Sequence, residues 1–168
     1  MDDIYSPPKS DVVKRSREDY GNIYVFKRFS AWFVFIFSIV TLGIYVPYWL
    51  YTRTTKLNRI SHSKISDLFI WSTTSLYVFT WVIIFSPLFF EFLDSYIGPS
   101  QPHMTYFPFI ELLSNILILV WVFKFRNRLD EMFSNASFNL GIILTFFFQI
   151  IYLQYKINEL IDNEHNKR

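Results

Sequence analysis

At 168 residues the chain has the length of a single domain, and 52% hydrophobic with 21% aromatic content exceeds what a soluble domain of that size hides from water. Cysteine is absent, which excludes a disulfide framework, a thiolate nucleophile and thiolate metal ligation. The net charge of +2 is too small for a nucleic-acid-binding face, so no nucleic-acid partner is expected, and the placement of the 16 Lys and Arg residues says more than their sum.

Residues 1–28 are polar, with Pro7, Pro8 and a mixed-charge run over 14–19, and read as a flexible tail. The first apolar stretch follows too late for a secretory signal. It lacks a small-residue cleavage pattern and is expected to stay in the protein. This stretch, 29–52, carries Trp32 near its start and Tyr45, Tyr48, Trp49 and Tyr51 near its end, where amphipathic rings favour the headgroup layer. Gly43 and Pro47 stand four apart within it. The proline ring would strike the Gly43 carbonyl and leave it without its helical donor, so a kink or break over 41–47 is predicted.

The second stretch, 68–90, contains Ser72, Thr73, Thr74, Ser75 and Thr80, small polar residues suited to close helix contacts in lipid, and Pro87 is expected to end it. Residues 91–106 hold Gly98, Pro99, Pro102 and two acids but no Lys or Arg, which reads as an exposed loop of a helical hairpin. Between Glu111 and Lys124 only 12 uncharged residues are available, about 18 Å of helix, so a third span of 107–124 has to begin near Phe107 and draws Glu111 below the headgroups. The fourth stretch, 138–155, needs no such extension. A polar tail, 156–168, follows. The fold expected is an all-α integral membrane protein of about four membrane-embedded helices, with 29–155 as the membrane domain.

Six Lys and Arg residues precede the first stretch, four separate it from the second, none lie between the second and third, three lie between the third and fourth, and three follow. Four full spans would divide these almost evenly between the two sides. If the first and fourth stretches instead enter and return on one side, all 16 lie inside. Residues 53–66 and 124–136 are then cytoplasmic and 91–106 outside. Re-entrant backbone is costly in lipid unless protein buries it. Gly43 and Pro47 make a return plausible in the first stretch. The fourth has no proline and its one glycine lies near its start, which leaves a full span or an interfacial helix open.

Leu42-Gly43-Ile44 precedes Lys56-Leu57-Asn58, and Leu140-Gly141-Ile142 precedes Lys156-Ile157-Asn158, an echo that suggests related elements flanking the central hairpin. The run Thr41-Leu42-Gly43-Ile44-Tyr45, with Tyr48-Trp49, Tyr51 and Leu57-Asn58, resembles domain-of-unknown-function family 4234, small bacterial multi-spanning membrane proteins. The second echo, with Gln154 and Asn158, is similar to that family's C-terminal signature, so the resemblance extends over about 29–163. Pro47 departs from the pattern. The resemblance implies an inner-membrane protein of a bacterium or its phage and supplies no catalytic residues.

Glu111, with Asn115 one turn later on the same face, is the chief candidate intramembrane site, and Thr145 and Gln149 in the fourth stretch form a matching polar stripe with Gly141, Tyr152 and Lys156. A polar path or pore is one reading. The other places Glu111 at the outer interface near its helix N-terminus, with the stripe joining helices. Glu91, Asp94, Glu111 and His103 resemble a loose hard-cation site but are read as a solvated acidic loop. The three histidines lack metal-site spacing, so no metal, no cofactor and no enzymatic activity are expected. Arg53, Lys56, Arg59 and Lys64 suit an anionic leaflet, and orientation of the chain by positive charge explains them equally well. The leading functional expectation is a membrane protein that works through helix-helix contacts, as a homo-oligomer or an accessory subunit, with the lipid bilayer as its first partner. The alternative is a small oligomeric transporter or channel near Glu111, Asn115 and Gln149.

Overall fold

The computed structural model describes residues 22–97, 107–133 and 140–166, with side chains described outside 87–97 and Phe107. Among these residues all regular structure is helical. After a short 3-10 turn at Ile23–Val25 come α1 (Ala31–Val40), α2 (Tyr45–Ile60), α3 (Asp67–Ile97), α4 (Phe107–Phe133) and α5 (Ile142–Asn166).

Two helices are long and apolar enough to cross a membrane, over Asp67–Ser86 and Pro108–Phe133. α3 and α4 pack against each other more extensively than any other pair. Trp121 stands edge-on to Phe69 at 6.4 Å, and the Lys124 ammonium lies 4.1 Å from the Phe69 ring centroid, so the start of α3 meets the end of α4 and the two run antiparallel. α4 is described from Phe107 onward.

The core is assembled at the end of the molecule where α3 starts. Trp49, Leu50 and Leu57 of α2, Trp121, Phe125 and Leu129 of α4 and Leu153 and Ile157 of α5 are buried there together. The opposite property marks the lateral surface: Leu68 is 80% exposed, Trp32 74%, Phe109 73% and Phe147 72%, within a much larger set of exposed apolar side chains. Soluble monomers rarely leave apolar surface on this scale to water.

Several boundaries differ from those read in the sequence. Residues 22–28 do not belong to a free tail, because Ile23 and Phe26 are buried and Phe26 packs edge-on against Phe125 at 6.4 Å. Pro87 does not end α3. The helix continues to Ile97 and takes in 91–97, while 98–106 lie outside the described residues. The final polar stretch is likewise helical to Asn166, with Ile157 and Leu160 buried against the core. The small polar residues of α3 serve close approach more than bonding between helices. Ser72 and Thr80 donate to carbonyls of their own helix, and the Thr73 and Thr74 hydroxyls are buried without a partner among the described residues.

Candidate functional site at two folded-back segments

The predicted break in the first stretch lies at residues 41–44, where Leu42 and Gly43 take positive φ of 50° and 93°. The Gly43 N–H reaches back to the Ser38 carbonyl at 2.8 Å, the six-to-one closure of a Schellman-type C-cap, while the Thr41 hydroxyl accepts from the Tyr45 N–H at 3.0 Å and opens α2. Pro47 is the third residue of α2, so its missing N–H falls in the first turn, where no intrahelical acceptor exists anyway. The proline ring therefore excludes continuation from α1 while remaining compatible with the helix that follows.

α3 caps the exposed turn. The Tyr77 hydroxyl donates to the Gly43 carbonyl at 3.2 Å and the Trp81 indole N–H donates to the Leu42 carbonyl at 3.3 Å. These residues lie ten and fourteen positions beyond Asp67, so the turn is about 15–21 Å along α3 from its start, roughly half of a hydrocarbon core. At the other end, Arg53 of α2 donates to the Lys27 carbonyl at 3.3 Å. α1 and α2 are thus a helical hairpin with both ends at the start of α3.

The fourth stretch is folded back too, which no glycine or proline announced. α5 is interrupted at Gln149, whose φ of 39° and ψ of −118° are not helical. The Tyr152 hydroxyl accepts from the Gly141 N–H at 3.0 Å, a contact that eleven residues of straight helix, about 16 Å, would forbid. The Arg126 guanidinium, near the end of α4, holds the Leu140 carbonyl through both its Nε, at 3.1 Å, and its Nη2. Asp162, near the other end of the segment, pairs with Arg28 at 3.0 Å. Both ends of this segment therefore lie at the same end of the molecule as those of the first. Its turn is shallower: Phe148 and Ile151 meet Ala31, Trp32 and Phe35 in an apolar groove of about 270 Å³ beside the first half of α1.

A polar chain, buried at Trp49 and Gln154 and part-buried at Asn158, joins the two hairpins. The Trp49 indole N–H donates to Gln154 Oε1 at 3.1 Å, Gln154 Nε2 donates to Asn158 Oδ1 at 2.9 Å, and Asn158 clamps the Phe29 backbone just before α1, accepting from its N–H at 3.3 Å and donating to its carbonyl at 2.7 Å. Asn58 treats Ile65, just before α3, in the same way with two bonds of 2.9 Å. The Lys-x-Asn half of the internal echo is therefore structural, since each asparagine fixes the backbone two residues ahead of a helix. The Leu-Gly-Ile half is not, because Leu42-Gly43 forms a hairpin tip and Leu140-Gly141 lies at the base.

The sequence-derived site residues are placed as follows. Glu111 and Asn115 are both exposed on one face of α4. Thr145 is buried and its hydroxyl donates to the Gly141 carbonyl at 2.8 Å, and Gln149 is half-buried at the α5 break. Among the described residues no hydrogen bond joins the first pair to the second. The side chains of Glu91 and Asp94, and all of His103, lie outside the described residues. Gln154 and Trp49 were missed as a pair because 105 positions separate them. A lone glutamine and tryptophan in apolar text, each needing a partner when buried, were the available signal.

The architecture is that of a small all-helical chain in which two helices long enough to cross a membrane carry two folded-back helical segments at one end. The chain belongs to the family described as domain of unknown function DUF4234, whose family profile matches residues 29–131. The match takes in α1 to α3 and most of α4 and stops before the second echo, short of the extent to 163 that the resemblance suggested. No curated protein matches the chain, and no solved structure does.

Proposed function

We propose that the chain is a multi-pass inner-membrane protein of bacterial type, in which α3 and α4 form the spanning hairpin while the α1–α2 segment and α5 enter and return on the basic, cytoplasmic side. It acts without catalysis, through helix-helix contacts as a homo-oligomer or an accessory subunit. One set of contacts supports the topology: Arg53 reaches Lys27, Arg126 reaches Leu140 and Arg28 pairs with Asp162, so each broken segment begins and ends at the level where α3 starts and α4 finishes. Its support from charge is independent, because this arrangement gathers all 16 Lys and Arg residues on one side. The cost of re-entrant backbone is offset by Trp81, which bonds the Leu42 carbonyl that lipid would leave bare, and by Tyr77, which adds a second bond to the Gly43 carbonyl beside that from the Val46 N–H. The broad exposed apolar surface supports lipid as the surrounding medium and a further helix as the kind of partner that packs against it.

Single cysteines introduced at Lys27, Ser63, Asn127 and Asn163, in a chain that has none of its own, test this directly. With membrane-impermeant maleimide on sealed vesicles, all four react from one face. Reaction of Lys27→Cys and Ser63→Cys from opposite faces overturns the re-entrant reading of the first segment.

A further inference from the structure

Resting on that topology, we infer that the protein is a membrane wedge that expands one leaflet and favours, or generates, curvature convex toward its basic side. The cross-section differs sharply between the two ends. At the end where α3 starts, the two arms of the α1–α2 hairpin, the two arms of α5, α3 and α4 lie side by side, six helical sections among the described residues. Beyond the tip capped by Tyr77 and Trp81, only α3 and α4 continue among the described residues. A helix with its side chains is about 10–12 Å across, so each section displaces about 100 Å² of leaflet and the basic side is wider by roughly 400 Å².

The outer surfaces of the re-entrant arms are suited to displacing acyl chains. On α1, Trp32, Ile36 and Val40 are exposed, and on the first arm of α5, Ile143 and Phe147 are, while the buried faces of both segments pack on the common core. The two hairpins are also fixed to each other. The chain from Trp49 through Gln154 and Asn158 to Phe29, with the Arg28–Asp162 pair, makes one rigid block of the extra sections. A rigid insertion confined to one leaflet imposes its area on the lipids, whereas hinged hairpins would splay and relax it. The ligand of this surface is the bilayer itself, read by lipid packing and curvature.

The test uses the full chain carrying Ser63→Cys, an exposed position between α2 and α3, in phosphatidylcholine/phosphatidylglycerol vesicles spread over a range of sizes and tethered for single-vesicle fluorescence. Copies with Ser63→Cys outside are labelled with an impermeant dye. In a parallel sample the outside copies are blocked and the lumenal ones labelled with a permeant dye. Outward copies are expected to increase in density at least about twofold from the largest to the smallest vesicles, and lumenal copies to decrease. Equal density at all sizes, or a trend of the same sign in both samples, overturns the wedge while leaving the topology intact. Labelling of Lys27→Cys and Ser63→Cys from opposite faces overturns the topology and the wedge together.

Discussion

The Asn158 carboxamide completes both hydrogen bonds of the Phe29 backbone, donating to its carbonyl at 2.7 Å and accepting from its N–H at 3.3 Å across 129 residues of chain. It thereby ties the last helix to the start of the first. Asn158→Ala leaves two backbone groups without partners in a part-buried setting and is expected to cost about 1–3 kcal/mol. Asn158→Asp keeps the acceptor and loses the donor, so it falls between. Thermal unfolding in detergent followed by circular dichroism measures the order.

Gly43 has a φ of 93°, and a Cβ there would lie 2.8 Å from the Tyr77 hydroxyl. Gly43→Ala therefore meets both backbone strain and a steric clash, at an expected cost of about 1–3 kcal/mol. Tyr77→Phe removes the clashing atom together with a bond worth about 1 kcal/mol. In the double variant, part of the Gly43→Ala penalty is recovered, and a stability cycle over the four proteins reads that coupling. Strict additivity would show that the hydroxyl does not touch the turn.

The Trp49–Gln154 bond is buried, so the asymmetry between removing one partner and removing both applies to it. Gln154→Leu strands the indole N–H and also releases Asn158, with an expected loss of about 1–3 kcal/mol. Trp49→Phe added to Gln154→Leu removes the stranded donor. The double variant is expected to lose less than the sum of the two single changes in denaturant titration.

Lys56 has its pKa lowered, first by burial and then by the like charges of Arg53, Lys27 and Arg59. A base depressed in the folded state binds its proton more weakly there than in the unfolded chain. Stability consequently rises with pH as the solution passes through the window just below the ordinary lysine range. Lys56→Gln is expected to raise stability at neutral pH and to flatten that alkaline rise, which melting curves across the pH range test.

Glu111 and Asn115 face outward from α4 together. If they line no conducting path, Glu111→Gln in proteoliposomes leaves proton and potassium flux unchanged. A reduction in flux on that substitution would instead favour the transporter reading.

The hydrophobic stretches and the break at Gly43 were legible because each has a local cause: run length and a glycine-proline pair. The break at Gln149 was not. No residue near it forbids a helix, and the reversal is held by distant groups, with Arg126 gripping Leu140 and Tyr152 bonding Gly141. The ends of α3 and α5 were placed too early for a related reason. Pro87 and the charged residues after Tyr155 weaken a helix locally, yet α3 runs on to Ile97, and α5 is carried to Asn166 by the burial of Ile157 and Leu160. Of the candidate site, the polar residue types were visible in the text, but the pairing of Trp49 with Gln154 depends on the docking of the two hairpins.

The grip of Arg126 on the Leu140 carbonyl also bears on how the chain is built into a bilayer. In the topology proposed above both broken segments start and finish on the synthesis side, so the connection between α3 and α4 is what has to be exported, and residues 91–106 contain no Lys or Arg to resist passage. The second folded-back segment can then dock onto that spanning pair once it is in place, without further use of the export machinery.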